Sequence, residues 1–188
     1  MGWIGQQVKK ENIKEFIFDS WNNQDVNHGK SILTVKKHEV FGSTHVLAVA
    51  RQDKNTGNTQ EVFAVVSLTI YNNGELMVKD ITEDMLPQSF PVTRKFLGLL
   101  SDTDNDSALV WREGCDNLRR RQAWLNKNLV NGCTVDLGDS TGLIYDGREL
   151  SGKVKYFKYG RKEMVVFDGI NLHMPRGWKK QIVDIVAA

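Results

Sequence analysis

A chain of 188 residues with 40% hydrophobic and 26% charged residues has the composition of a folded globular protein, which excludes wholesale disorder. No apolar run approaches the roughly 18 residues of a membrane-spanning helix, and the start of the chain lacks the apolar core of a signal peptide. We therefore expect a cytoplasmic protein with no membrane contact. Residues 1–114 carry 12 Lys and Arg against 15 Asp and Glu, whereas residues 115–188 carry 13 against 8. A basic half of this kind suits a nucleic-acid or acidic partner, or an ordinary solvated surface.

The first 128 residues are predicted to form an α+β domain that begins with a helix and a meander of strands. An apolar stripe with three- and four-residue spacing predicts a helix over Asn12–Asn22. Runs rich in Val, Ile, Leu, Thr and Phe, separated by turn residues, then predict four strands. Glu61–Ile70 is apolar at nearly every position, so we expect it to be central in the sheet. The predicted strands are Ser31–Val40, Thr44–Arg51, Glu61–Ile70 and Glu75–Asp80.

Two further helices are predicted to close this domain. Pro91 suits the first turn of a short helix over Val92–Leu100, because its missing N–H has no partner there anyway. Apolar residues at spacings of four and three predict a longer helix over Thr103–Asn126. Gly114 weakens that helix by about 1 kcal/mol relative to Ala, unless it lets another element approach closely.

Residues 129–188 are predicted to form a small β-barrel, SH3-like, of about 60 residues. Short β-rich runs alternate there with turn glycines, which is typical of small barrels. The runs are Cys133–Leu137, Leu143–Tyr145, Lys153–Tyr159, Met164–Phe167 and Gln181–Val186. The predicted fold is thus an antiparallel meander sheet with flanking helices, followed by this barrel.

The sequence contains no motif that predicts a metal, a cofactor or a nucleophile. Asp102, Asp104, Asp106 and Glu113 have the spacing of a calcium loop, but Ser107 stands where that loop needs Gly. We interpret the acidic residues as capping the following helix. No histidine pairs with another ligand at a zinc-like spacing, although His38 and His45 could face each other across a hairpin.

Two cysteines, Cys115 and Cys133, do not make a disulfide framework, and a reducing cytosol disfavours a bridge between them. Cys115 falls on the apolar stripe of the long helix, so we expect it in the core. A site composed only in three dimensions, with Cys115 or His45, stays open as an alternative.

Two basic stretches and one tryptophan are the candidate contact residues. Alternation along Lys153–Tyr159 places Lys153, Lys155, Phe157 and Tyr159 on one strand face, where bases could stack and phosphates bind, or where the strand is simply solvated. Trp178, in a turn, suits either a contact hot spot or a plug of the barrel. The candidate binding residues are Arg119, Arg120, Arg121, Lys153, Lys155, Tyr156, Lys158, Tyr159 and Trp178.

The segments that carry a resemblance over residues 1–120 are, in order, Met1-Gly2-Trp3, Gly42-Ser43-Thr44 with Ala48-Val49, Glu61–Val66, Lys79-Asp80, Pro87 and Pro91, Leu99–Asn105, Ala108, Trp111-Arg112 and Cys115. By their order and spacing they resemble a family of unknown activity found mostly in bacteriophages, prophages and mobile elements of bacteria. Family members usually carry extra cysteines in the segment matching Met85–Pro91, and this chain has none there.

The resemblance implies a bacterial host cell. We therefore expect a non-catalytic protein that binds a host protein or protein–nucleic-acid complex and inhibits a defence system of the anti-CRISPR or anti-restriction type. The alternative is a nucleic-acid-binding protein that acts through its basic C-terminal barrel. Neither reading needs a cofactor, and the sequence does not determine the oligomeric state.

Overall fold

The computed structural model describes Ile4–Gln6, residues 12, 15, 16 and 19, residues 31–72 and residues 75–186. Most of the predicted helix Asn12–Asn22 lies outside the described residues; positions 15, 16 and 19 are helical. The chain divides into two compact units, Met1–Arg120 and Arg121–Ala188. The domain boundary that the sequence predicted, after residue 128, lies later in the chain than the division between these two units.

The first unit is built on a five-stranded antiparallel sheet. Its order is β1-β5-β4-β3-β2, so consecutive strands β2 to β5 form the predicted meander and β4 is central, as predicted. The three-residue strand β1 was not predicted, because so short a segment shows no alternation. The strands are β1 (Ile4–Gln6), β2 (Ser31–Phe41), β3 (Thr44–Asp53), β4 (Thr59–Asn72) and β5 (Glu75–Thr82).

The middle strands of this sheet are buried on both faces. In β3, Val46 and Ala48 belong to one hydrophobic cluster, whereas Leu47 and Val49 belong to another. A strand covered on both sides needs an apolar residue at every position, which explains the unbroken apolar run in the sequence.

Two helices follow the sheet, and both contribute residues to the hydrophobic cluster that contains Val46 and Ala48. They are α1 (Arg94–Leu97), which is shorter than predicted, and α2 (Asp106–Asn128). Thr93 caps α1, accepting a hydrogen bond from Phe96 N at 3.2 Å. Asn105 caps α2, its Oδ1 accepting from Ala108 N at 3.0 Å. The predicted capping by Asp102 and Asp104 is therefore corrected: the amide of Asn105 has that role, because it directly precedes the first helical residue.

Gly114 in α2 lies against the segment that precedes α1. A Cβ atom added at Gly114 would overlap the hydroxyl of Ser89 and lie 3.0 Å from its Cβ. The glycine thus allows the close approach that was predicted as the alternative to simple helix weakening.

The second unit contains a five-stranded antiparallel sheet of order β11-β10-β9-β6-β12 and a separate hairpin, β7-β8. No pairing between β11 and β12 is found among the described residues. A 3-10 turn, Trp178–Gln181, precedes β12 and includes Gln181, the first residue of the last predicted strand. The strands are β6 (Thr134–Asp136), β7 (Ile144–Tyr145), β8 (Arg148–Glu149), β9 (Lys153–Tyr159), β10 (Lys162–Phe167), β11 (Ile170–His173) and β12 (Asp184–Val186).

The last turns of α2 belong to this second unit. Leu125 is buried in its core. The Arg121 guanidinium donates to the backbone carbonyl of Ile182 at 2.6 Å and to those of Lys179 and Lys180 at 3.3 Å. Arg121 therefore satisfies carbonyl groups of the 3-10 turn and the residues that follow it.

Candidate nucleic-acid interface

One face of the second unit's sheet points to solvent, and we call it the outer face. Val154 and Tyr156 of β9 are buried in the core, so the alternate residues of this strand point the other way. Phe157 lies opposite Met164, and Tyr159 lies opposite Lys162. The outer face consists of Lys153, Lys155, Phe157 and Tyr159 of β9, Lys162, Met164 and Val166 of β10, and Asn171 and His173 of β11.

The outer face combines aromatic rings with accessible cations. Tyr159 is 65% exposed and Phe157 is half-buried. Lys153, Lys155 and Lys162 are exposed. The alternation predicted for β9 is confirmed over Lys153–Phe157, where exposed or half-buried residues alternate with the buried Val154 and Tyr156.

Acidic residues bound the outer face on one side. Asp136 of β6 pairs in register with Lys153 of β9, and Asp184 of β12 pairs with Asp136. Both carboxylates would repel phosphate groups. The part suited to a polyanion therefore extends over β9, β10 and β11.

The predicted arginine run is engaged within the protein. Arg119 and Arg120 both form ion pairs with Asp116, whose pKa is lowered mainly by the hydrogen bond from Arg119. Arg121 binds backbone carbonyls, as described above. Arg120 stays largely accessible, its side chain being 71% exposed, but the run does not form a free basic patch.

Two of the predicted contact residues, Tyr156 and Trp178, are buried, and their placement corrects the prediction. The two rings stack with centroids 5.8 Å apart. Tyr156 Oη donates to Glu163 Oε1 at 3.2 Å, and Trp178 Nε1 donates to Glu163 Oε2 at 2.9 Å. Trp178 thus fills the core, the second of the two predicted roles, and neither ring lies on the outer face.

Glu163 stays charged in this surrounding. Burial would raise the pKa of Glu163, but the hydrogen bonds and the positive charge of Lys179, whose Nζ lies 2.5 Å from Oε1, hold it below its ordinary value. Burial and the neighbouring Glu163 charge raise the pKa of Tyr156 to about 12. The tyrosine is therefore a hydrogen-bond donor at neutral pH.

Lys158 is exposed near the end of β9, although alternation places it on the same side of the strand as the buried Val154 and Tyr156. Asn131 fixes its backbone, because Lys158 N donates to Asn131 Oδ1 at 2.6 Å.

Sequence reasoning missed the contribution of β10 and β11 to the outer face. Met164 and Val166 could have been placed there by alternation along the predicted strand, whereas β11 was not predicted at all.

Within the described part of the chain, the other reactive side chains do not assemble into a metal site, and the cysteines lie in the core. No group of three potential metal ligands occurs within the described ranges. His38 Nε2 and His45 Nδ1 lie 2.9 Å apart across the β2–β3 hairpin, as predicted, and burial followed by the His38 charge lowers the pKa of His45. Both cysteines are free and buried. Burial raises the pKa of Cys115 to about 11, so it is a protonated thiol at neutral pH and a poor nucleophile.

Asp80 is a buried carboxyl in the first unit, accepting a hydrogen bond from Ser67 on the neighbouring strand. Burial raises the pKa of Asp80 from 3.8 to about 6. The folded state therefore gains stability from this group below pH 4 and loses it as the pH rises through 6. We expect Asp80→Asn to exceed the wild type in free energy of unfolding by about 2–3 kcal/mol at pH 8 and to match it near pH 4.

Urea unfolding of both proteins at pH 4 and pH 8 measures this difference, with exposed Asp84→Asn as the control. A difference that is the same at both pH values would contradict the assigned pKa of Asp80.

No described helix combines the length and the apolar character that crossing a membrane requires. Comparisons of the chain with protein-family models, curated proteins and solved structures give no significant match.

Proposed function

We propose that this protein is a non-catalytic binding protein whose ligand is single-stranded nucleic acid, held on the outer face of the second unit. One observation carries the proposal: Lys155, Phe157 and Tyr159 share a solvent-facing strand with Lys153, next to Lys162 of the adjoining strand. Cations bind the phosphates, and aromatic faces stack on the bases, so the two kinds of side chain together match both parts of a nucleotide chain.

A single strand fits this face better than a duplex does. Bases of a duplex are stacked on one another, and their faces are closed to an exposed ring such as Tyr159. The outer face is a sheet surface rather than a helix or ribbon that could enter a groove. Aromatic residues stack on the faces of bases and do not contact their hydrogen-bonding edges. We therefore expect the affinity to depend little on the nucleotide sequence.

We also propose that the second unit is an SH3-like barrel. Its support is the strand order β12-β6-β9-β10-β11, with a hairpin between β6 and β9 and a 3-10 turn before β12. This succession matches the SH3-like order of five strands. The barrel would leave the outer face of β9 and β10 open to a ligand.

The resemblance to a family of phages and mobile elements adds a biological setting to this proposal. The chain would act in a bacterial cell, on a nucleic acid or on a protein–nucleic-acid complex of a defence system. Binding would then inhibit that system by covering the nucleic acid it needs.

A second candidate is the occlusion of a host protein surface, and a groove in the second unit favours it. The groove has a volume of about 320 Å³ and lies between residues 142–145 and residues 172–175. Ile144 and Tyr145 on its wall are 64% and 48% exposed. Exposed apolar side chains beside a concave site are typical of protein contacts.

A titration of fluorescent single-stranded DNA and RNA oligonucleotides with the full chain tests the proposed function. We expect binding that weakens as salt rises, with a slope near −2 in a plot of log K against log salt, because three lysines would each contribute about −0.7. Tyr159→Ala should weaken binding roughly 5- to 150-fold, since stacking contributes about 1–3 kcal/mol per base.

Tyr145→Ala is the matched control, because it removes another exposed tyrosine of the same unit that lies outside the outer face. Equal losses in the two variants would contradict the assigned surface. No binding at 50 mM salt would overturn the nucleic-acid proposal. Capture of one host protein from nuclease-treated bacterial lysate, lost in Tyr145→Ala, would then favour the groove and the second candidate.

A further inference from the structure

A basic cavity adjoins the outer face at His173. The cavity has a volume of about 320 Å³ and is formed where the β9–β10 turn approaches the 3-10 turn before β12. His173 belongs to β11, so it borders the cavity and also lies on the outer face. The lining residues that carry charge or aromatic character are Arg161, Glu163, His173, Arg176, Trp178 and Lys179.

The charge of this cavity comes from two arginines. Glu163 is engaged on both carboxylate oxygens, by Trp178 Nε1 on one and by Lys179 on the other. Its negative charge is therefore offset by Lys179. Arg161 and Arg176 are exposed, and within the described part of the chain their side chains have no hydrogen-bond or ion-pair partner. The net charge of the lining is thus positive without counting His173.

One residue that lines the cavity, Trp178, is held in place by its contacts. Trp178 is only 3% exposed, stacks on Tyr156 and donates its ring N–H to Glu163. Gly177, with φ of +88°, makes the left-handed turn that leads from Arg176 into this buried ring. A ligand in the cavity would therefore meet this fixed ring together with the two arginines that also line it.

We propose that this cavity binds the phosphorylated end of a nucleic-acid strand that lies on the outer face. A terminal phosphate monoester carries nearly two negative charges at neutral pH, whereas a phosphodiester carries one. Two unpaired guanidinium groups match the dianion, because each can donate two parallel hydrogen bonds to phosphate oxygens. The inference rests on the proposed function, since it assigns one end of the same ligand.

The experiment compares oligonucleotides of one sequence with a 5′-phosphate, a 3′-phosphate or hydroxyl ends. We expect the wild type to bind one of the phosphorylated forms roughly 5- to 10-fold more tightly than the hydroxyl form, and the 5′ and 3′ arms identify which end it takes. The variant R161Q/R176Q should bind all three forms equally, with the affinity that the wild type has for the hydroxyl form. Thermal unfolding checks that this variant is folded.

Arg148→Gln is the control, because Arg148 is a 75% exposed arginine of the same unit that lies outside the cavity. If it removes the preference as fully as R161Q/R176Q does, a general charge effect replaces the site. Equal wild-type affinities for all three forms would overturn the inference and leave the proposed function standing. If no form binds, both are overturned together.

Discussion

Replacing Glu83 by alanine is expected to lower the free energy of unfolding of the first unit by about 3–5 kcal/mol. Glu83 is only 4% exposed and accepts two hydrogen bonds from Arg112, from Nε at 2.9 Å and from Nη2 at 2.7 Å. The third contact of this guanidinium is the Ser101 carbonyl at 2.7 Å. Without Glu83 a largely buried cation loses its counter-charge, and the Ala64 amide loses its acceptor.

The double variant E83L/R112M separates the loss of the pair from the cost of an unpaired charge. It should be more stable than Glu83→Ala, because no buried ion is left without a partner. Arg120→Ala removes one partner from an accessible pair on α2 and should leave stability nearly unchanged. Urea unfolding followed by circular dichroism measures all three. A Glu83→Ala variant as stable as Arg120→Ala would show that the buried pair does not hold this unit together.

The charge-reversal variant K155E/K162E is expected to lower affinity for a single-stranded oligonucleotide roughly 100-fold or more at 50 mM salt. Both lysines are exposed, and they lie on adjoining strands of the outer face. Binding of the variant releases fewer counterions, because two phosphate contacts are lost. The plot of log K against log salt should therefore become less steep by about 1.4. Fluorescence anisotropy over a range of salt concentrations measures both quantities.

K54E/K95E makes the same change in net charge on exposed lysines of the first unit. We expect it to retain most of the affinity, because these lysines are not part of the outer face and make none of the phosphate contacts proposed there. If the two double variants lose affinity alike, net charge alone governs binding and the outer face has no special part in it.

The sequence predicted the candidate surface best where a single strand determines it. Period-two alternation along Lys153–Tyr159 placed two lysines and two aromatic residues on one face, and the structure has them there. Strand β11, which pairs with β10, was missed because its four residues, Ile170–His173, show no clear alternation between two turns. Surfaces that join several strands depend on register, which is determined by long-range pairing rather than by local pattern.

The arginine run shows a different limit of sequence reasoning. Asp116 lies three and four residues before Arg119 and Arg120, so these two ion pairs could have been predicted from helix geometry. The partners of Arg121 could not, because they are backbone carbonyls about sixty residues later in the chain. Charge density in a sequence indicates where cations are, and only the fold shows which of them already have partners.

Trp178 is a similar case in the second unit. Its position before the last strand suited either a contact or a plug, and the sequence could not decide between them. The deciding partner is Glu163, which lies on β10 just before the segment that was predicted as a strand, Met164–Phe167. A half-buried carboxylate that accepts hydrogen bonds from two aromatic side chains has no signature in a single sequence.

The place where α2 passes from one unit to the other determines how the protein can be divided. A C-terminal fragment that began at residue 129 would lack Leu125, leaving a gap in its apolar interior, and would lack Arg121, leaving three carbonyl groups without their donor. A fragment that begins before Arg121 keeps both Arg121 and Leu125. A stable C-terminal fragment should therefore include the last two turns of α2. The C-terminal end of α2 is thus part of the folded second unit and not a linker that leads to it.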